Sequence, residues 1–133
     1  MAEKVLIVED EMAMLNVLAD KFKREGFDVF KAADGDEGLE AALKERPNLI
    51  LLDILMPKMD GMTFLRKLRE DIWGKNATVV ILTNLVDPRV AAETSESGVF
   101  DYWVKTELTL DEIVEKVRGK LKMPPSAKSS ENK

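Results

Sequence analysis

The stretch Leu49-Ile50-Leu51-Leu52-Asp53 is the most apolar run of the chain, and it ends on a carboxylate. Four large aliphatic residues in succession are typical of a strand buried on both faces, as in a parallel sheet covered by helices. An acidic side chain that closes such a strand lies beside the core and needs a partner. The run therefore predicts a parallel sheet with a functional group at the end of a strand.

On both sides of this strand, short apolar runs alternate with amphipathic stretches, which favours an α/β fold of five strands and five helices. The other strands are predicted at residues 5–8, 27–32, 77–83 and 99–105. The helices are predicted from Met12 to Gly26, from Asp34 to the residue before Pro47, after Gly61, from Asp87 to Gly98, and from Thr109 onward. Asp34 with Glu37, and Thr109 with Glu112, have the spacing of capping boxes.

Composition excludes several classes of function. The formal net charge of −5 over 133 residues disfavours binding to nucleic acid or to an anionic membrane. The chain has no Cys and no His, so a metal would have to be held by oxygen atoms. The length fits one domain, the absence of Cys suits a reducing cytoplasm, and no apolar run approaches the roughly 18 residues of a membrane span. We therefore expect a single, cytoplasmic domain.

Polar side chains collect at the predicted strand ends. Glu9 and Asp10 follow the first strand, Asp53 the third, Thr83 the fourth and Lys105 the fifth. Ligands of open parallel sheets bind outside the carboxyl ends of the strands, and neighbouring strands lie only about 5 Å apart. We therefore expect these five side chains to converge.

Three carboxylates at one place repel one another unless a cation neutralises them, and an all-oxygen site suits Mg²⁺. With a metal present, one carboxylate can attack a phosphoryl group, and Asp53 is the best placed. Lys105 and Thr83 can each bind a phosphoryl oxygen. The predicted product is an aspartyl phosphate.

This constellation resembles the receiver domain of two-component response regulators, over residues 4 to about 122. Thr83 follows Asp53 by 30 positions and Lys105 follows Thr83 by 22, as in that family. The matching motifs are Glu9-Asp10, the run from Asp53 through Met56-Pro57-Lys58-Met59 to Asp60-Gly61, Thr83, and Asp101-Tyr102-Trp103-Val104-Lys105. The resemblance implies a flavodoxin-like (CheY-like), doubly wound sheet of order 2-1-3-4-5 with helices on two faces. It also implies a receiver domain at residues 1–122, followed by a disordered tail or truncated linker at 123–133.

The resemblance further implies that a sensor histidine kinase or a phosphotransfer protein passes a phosphoryl group to Asp53. Mg²⁺ would be held by Glu9, Asp10, Asp53 and the backbone carbonyl of Leu55. Such a chain is not an enzyme for a separate substrate, because it catalyses only its own phosphorylation and dephosphorylation.

A conformational switch is also implied, in which Thr83 moves toward the phosphoryl group and Tyr102 swings inward. This remodels the face made by helix 4, strand 5 and helix 5, which would control a downstream partner or output domain. That face is also the expected site of a phosphorylation-dependent homodimer. Tyr102 and Trp103 point to opposite faces of their strand, and Trp103 is expected to pack in the core.

Two positions depart from the family pattern. The family usually places Pro after the lysine, but here Thr106 follows Lys105, so we expect a trans peptide bond. Asn84 follows Thr83, where a small residue is common. Its side chain is expected either to narrow access to Asp53 or to hydrogen-bond to the phosphoryl group.

Two other functions fit the sequence less well. A phosphatase of the haloacid dehalogenase type needs a second Asp two residues after the nucleophile, and that position is Leu55. A flavodoxin-like binding module needs a phosphate-cradling loop after the first strand, where Glu9-Asp10 would repel a phosphate. No DNA-binding unit fits after residue 122, so we expect a stand-alone regulator or the N-terminal domain of a longer one.

Overall fold

Strands and helices alternate through the computed structural model, which describes residues 2–56, 60–99 and 101–126. The predicted alternation is confirmed. The strands are β1 (Lys4–Val8), β2 (Asp28–Ala32), β3 (Leu49–Leu52), β4 (Val79–Thr83) and β5 (Tyr102–Val104). The helices are α1 (Met12–Arg24), α2 (Gly35–Glu45), α3 (Gly61–Glu70), α4 (Pro88–Glu96) and α5 (Leu110–Lys120), with 3₁₀ turns at Gly74–Asn76 and Lys105–Glu107. Pro57-Lys58-Met59 of the predicted motif, Phe100 of the predicted fifth strand and residues 127–133 of the predicted tail lie outside the described residues.

The five strands form one parallel sheet in the order β2-β1-β3-β4-β5, as predicted. Strand β1 therefore lies between β2 and β3, and the connections that leave β1 and β3 run to opposite faces. The register pairs Val8 with Leu52, which brings the carboxyl ends of β1 and β3 side by side. In such a sheet this is the place where a ligand binds.

The helices cover both faces of the sheet, as expected. On one face α1 and α5 pack through side chains such as Phe22 and Val114. On the other face α2, α3 and α4 pack through side chains such as Ala42, Phe64 and Val90. Successive strand residues alternate between these two apolar clusters, so the central strands are buried on both sides. In the described part of the chain, no helix is long and apolar enough to cross a membrane.

The start of α5 is capped as the sequence predicts. The Thr109 hydroxyl accepts from the Glu112 amide at 3.1 Å, and the Glu112 carboxylate accepts from the Thr109 amide at 2.9 Å. At α2 only half of the predicted box forms, because Asp34 accepts from the Glu37 amide while the Glu37 carboxylate accepts from Ala33 instead.

Strand β5 is shorter than the predicted run of residues 99–105 and comprises only Tyr102–Val104. The cause lies in the end of α4. Gly98 has a φ of +80°, and the Val99 amide donates to the Thr94 carbonyl at 2.9 Å. Val99 thus belongs to the C-terminal cap of α4 and is unavailable to the strand.

The C-terminal end of α5 reverses the chain. Lys122 has a left-handed φ of +58°, and the Met123 amide donates to the Arg118 carbonyl at 2.8 Å. The Ser126 amide then donates to the Glu115 carboxylate at 3.2 Å. Residues 123–126, at the start of the predicted tail, therefore lie back against α5.

Arg69 joins three parts of the fold that are distant in sequence. Its Nε donates to the Ser97 carbonyl at 2.8 Å, beyond the end of α4. Its Nη1 donates to the carbonyls of Gly74 at 2.7 Å and Ala77 at 2.8 Å, before β4. One guanidinium thus fastens the ends of α3 and α4 to the segment that enters β4.

We expect Arg69→Met to lower the free energy of unfolding by about 3 kcal/mol, because three carbonyls lose a charged donor and are left partly buried. Denaturant titration would measure the change. Arg66→Met is the matched control, since Arg66 is exposed on the same helix and bonds to the Thr63 hydroxyl at its surface. Its expected cost is within about 0.5 kcal/mol. Equal costs for the two variants would contradict the role of Arg69.

Candidate functional site

The five predicted side chains converge at the carboxyl edge of the sheet. Glu9 and Asp10 follow β1, Asp53 follows β3, Thr83 ends β4 and Lys105 begins the turn after β5. They meet because neighbouring parallel strands end at the same edge.

Asp53 is at the centre of this group, with 6% of its surface exposed. Its Oδ1 accepts from the Thr83 hydroxyl at 2.8 Å and from the Leu55 amide at 3.0 Å. Its Oδ2 accepts from the Lys105 ammonium at 2.9 Å. The carboxylate is buried but bonded at both oxygens, which is what makes its burial tolerable.

The Lys105 ammonium bridges two carboxylates, because it donates to Glu9 Oε1 as well as to Asp53 Oδ2. Burial by itself would lower the pKa of Lys105, but the bonds to Glu9 and Asp53 outweigh it and raise that pKa above its ordinary value. Lys105 is therefore a positive charge fixed within the acidic cluster.

Glu9 is 2% exposed. Burial raises the pKa of Glu9 above its ordinary value, although hydrogen bonds from Lys105 and from the Glu11 amide oppose the change. The nearby charge of Asp53 raises the pKa further. The Glu9 carboxylate is thus held where its negative charge is costly, and an added cation would relieve that cost.

The acidic cluster fits a divalent cation. One carboxylate oxygen from each of Glu9, Asp10 and Asp53 lies within 4.8 Å of the others. All these donors are oxygens, the kind that hard cations prefer. The Lys105 ammonium already lies against two of the three, which shows that the cluster accommodates positive charge. For Leu55 the structure shows its amide bonded to Asp53, while its carbonyl as a metal ligand stays a prediction.

A chain of hydrogen bonds leads from Asp53 to Tyr102. Thr83 Oγ1 donates to Asp53 and accepts from the Leu85 amide at 3.2 Å. The Leu85 carbonyl in turn accepts from the Tyr102 hydroxyl at 2.5 Å. Burial raises the pKa of Tyr102, and the negative charges of Asp87 and Asp53 add to the effect. The Tyr102 hydroxyl therefore stays protonated and remains a hydrogen-bond donor. The sequence indicated roles for Thr83 and Tyr102 but not the link through the Leu85 backbone, because a backbone contact does not depend on the type of residue.

Asn84 makes a contact that the sequence did not predict. Its Oδ1 accepts from the Thr106 amide at 3.2 Å. The Lys105-Thr106 peptide bond is trans, as predicted, since the described residues contain no cis peptide bond.

The Asp60-Gly61 pair sets the start of α3 against the strand that carries Asp53. Asp60 Oδ1 accepts from the Thr63 amide at 2.8 Å and so caps the helix. A Cβ on Gly61 would lie 2.5 Å from Ile54 Cα and 2.8 Å from the Asp53 carbonyl. Only glycine allows this approach.

Tyr102 and Trp103 contact opposite faces of the sheet, as predicted. Trp103 packs against the cluster of α1 and α5, but it is half-buried rather than fully enclosed. The Lys116 ammonium lies 5.2 Å from the centre of its ring. Trp103 is thus a packing residue at the rim of the core.

Comparison with known proteins gives a consistent result. The family model "Response regulator receiver domain" matches residues 5–118. Sporulation initiation phosphotransferase F of Bacillus subtilis is 35% identical over 118 residues, covering 89% of this chain and 93% of that protein. A probable transcriptional regulator, ycf27 of Porphyridium aerugineum, is 34% identical over 130 residues, covering 98% of this chain and 52% of that protein.

The structural match agrees with the sequence matches. The CheX-CheY-BeF3-Mg²⁺ complex from Borrelia burgdorferi contains a chain that superposes with a TM-score of 0.80 at 30% identity, covering 90% of this chain and 89% of that one. The chain spans about half the length of the transcriptional regulators that it matches.

Proposed function

The chain belongs to the response regulator receiver domain family, a family of signalling domains, and from this we propose that Asp53 is its phosphoacceptor. The observation that supports the assignment is the position of Asp53 among Thr83, Lys105 and the acidic pair Glu9-Asp10. In this proposal, a phosphohistidine of a sensor kinase or phosphotransfer protein supplies the phosphoryl group.

The transfer forms one bond and breaks another. An oxygen of the Asp53 carboxylate attacks the phosphorus, while the N–P bond of the donor breaks and its electron pair stays on the imidazole nitrogen. Oδ2 suits this role, because it accepts a single bond within the described residues, from Lys105. The Lys105 ammonium and the Thr83 hydroxyl then stabilise the charge on the phosphoryl oxygens.

Mg²⁺ is the cofactor that we propose for the acidic cluster, with Glu9, Asp10, Asp53 and the Leu55 carbonyl as its ligands. When bound, it supplies positive charge that offsets the carboxylates and the transferring group. Lys105 would then give up its bond to Glu9 and remain with Asp53.

The switch that we propose follows the hydrogen bonds from Thr83 through Leu85 to Tyr102. Once the phosphoryl group is present, the Thr83 hydroxyl donates to it and no longer to the free carboxylate. The bond from Leu85 to Thr83 moves the segment after β4, and the Tyr102 hydroxyl loses its fixed acceptor on that segment. The new charge thus biases the position of Tyr102.

The face formed by α4, β5 and α5 is the surface that we propose for a downstream partner, an output domain or a homodimer. Its charges are partly engaged within the chain, since Lys120 bonds to Asp101 at 2.5 Å. Arg118 belongs to another side of α5, because it is 9% exposed and bonds to the Glu25 carbonyl after α1.

Residues 1–122 are the receiver unit in this proposal, and 123–133 are a tail or linker. We further propose that the chain acts in the cytoplasm, that it catalyses only its own phosphorylation and dephosphorylation, and that it does not bind nucleic acid or membranes itself. The net charge of −5 supports the last point.

The experiment that tests the function is intact mass spectrometry after incubation with acetyl phosphate and Mg²⁺. We expect a gain of one phosphoryl group that is absent with a chelator and is removed by hydroxylamine, as for an acyl phosphate. A gain that resists hydroxylamine would indicate a hydroxyl acceptor and contradict the proposal. No gain from acetyl phosphate or from a phosphorylated kinase would also contradict it.

A further inference from the structure

One side chain connects the two segments that carry Thr83 and Lys105. Asn84 directly follows Thr83, and its Oδ1 accepts from the amide of Thr106, which directly follows Lys105. The bond is 3.2 Å long and joins residues 22 positions apart. It therefore connects the residues that come immediately after two members of the phosphoacceptor site.

This bond lies just beyond the end of the sheet, where it holds together the segments that follow β4 and β5. The paired residues of β4 and β5 end at Thr83 and Val104, so beyond them strand pairing no longer holds the two segments together. The chain after β5 turns at once into the 3₁₀ turn Lys105–Glu107. A 3₁₀ turn leaves its first amides without partners inside the turn, and the Asn84 side chain supplies one. The side-chain oxygen of Asn84 thus extends the connection between the two strands by one residue beyond the end of the sheet.

Lys105 is the residue affected by this arrangement. Its side chain is long, and its ammonium must reach Asp53 Oδ2 at 2.9 Å. A flexible side chain keeps such a geometry only if its backbone is fixed, because ordering several rotatable bonds has an entropic cost. The Lys105 backbone is fixed on one side by β5 and on the other by the bond from Thr106 to Asn84.

We propose that Asn84 is a positioning residue for Lys105. By holding the Thr106 amide, it keeps the Lys105 ammonium directed at Asp53, where it meets the incoming phosphoryl group. Asn84 acts through Lys105 and does not itself touch the reacting atoms. The inference rests on the proposed function, because the rate that it affects is the phosphorylation of Asp53.

Asn84→Leu and Asn84→Ala test this directly, since leucine keeps the branched shape with a larger volume, alanine is smaller, and neither has an acceptor oxygen. We expect Asn84→Leu and Asn84→Ala each to slow phosphorylation by acetyl phosphate by about three- to tenfold, the effect of losing one hydrogen bond. The amide proton of Thr106, followed by NMR, should exchange faster with solvent in both. Thr106→Ala is the matched control, because it keeps the backbone amide, and it should behave as the parent does in both measurements.

A double substitution separates positioning from a general effect on the fold. If Asn84 acts through Lys105, adding Asn84→Leu to Lys105→Met causes no further loss of rate, whereas additive losses would overturn the inference. Faster phosphorylation in Asn84→Ala would also overturn the inference, since it would mean that the Asn84 side chain restricts access to Asp53. Unchanged rates and exchange in the Asn84 variants would do the same. Failure of the parent itself to accept a phosphoryl group is a distinct result, which refutes the proposed function.

Discussion

Asp53→Asn is expected to abolish phosphorylation under conditions in which the parent gains one phosphoryl group. The amide has no oxygen nucleophilic enough to attack phosphorus, and the substitution removes the acceptor without changing the shape of the side chain. The amide oxygen can still accept from Thr83 and Leu55, so the local fold should persist. Intact mass measurement of the variant after incubation with acetyl phosphate and Mg²⁺ would show only its own unphosphorylated mass.

Asp34→Asn is the matched control for this loss. Asp34 is the N-cap of α2, its side chain accepts from the Glu37 amide, and asparagine caps helices about as well as aspartate. The control therefore makes the same chemical change away from the site and should accept a phosphoryl group at the parental rate. An undiminished gain in Asp53→Asn would show that another residue is the acceptor.

Lys105→Met should slow phosphorylation by about 10²- to 10³-fold, the usual effect of removing one preorganised donor from a site of charge development. The same variant should bind Mg²⁺ several-fold more tightly. In the unphosphorylated protein the ammonium occupies oxygens of Glu9 and Asp53, both members of the acidic cluster, and it competes there with a metal. Opposite effects on rate and on metal affinity distinguish this role from damage to the fold.

Titration calorimetry would measure the Mg²⁺ affinity, and the phosphorylation rate would be measured at saturating Mg²⁺. Lys67→Met is the matched control, because Lys67 is exposed on α3 and its loss changes the net charge by the same amount. It should leave both quantities near the parental values. Weaker Mg²⁺ binding in Lys105→Met would contradict competition between the ammonium and the metal.

The sequence was sufficient to predict those features that depend on neighbouring residues or on where a strand ends. The buried run before Asp53, the Asp87-Pro88 start of α4 and the capping box at Thr109 were predicted and are present. Each follows from side chains within a few residues of one another, or from the rule that parallel strands end at one edge.

Features that depend on distant segments could not be predicted. The bond from Lys105 to Glu9, the contacts of Arg69 and the bond from Thr106 to Asn84 all require the relative placement of loops. Long polar side chains have many rotamers, and their choice among acceptors is fixed only in the folded molecule. The predicted length of β5 was wrong for a related reason, because the Val99 amide bonds to the C-terminal end of α4 and Val99 does not join the strand.

The position of Trp103 gives this protein an optical reporter of its own. Indole fluorescence responds to nearby charge, and the Lys116 ammonium of α5 lies 5.2 Å from the Trp103 ring on β5. Any change in the spacing of β5 and α5 therefore alters the emission. Trp73, the second of the two tryptophans, lies between α3 and β4, and Trp73→Phe would leave Trp103 as the single tryptophan. Binding of a partner at the face formed by α4, β5 and α5 could thus be followed in real time without an attached dye.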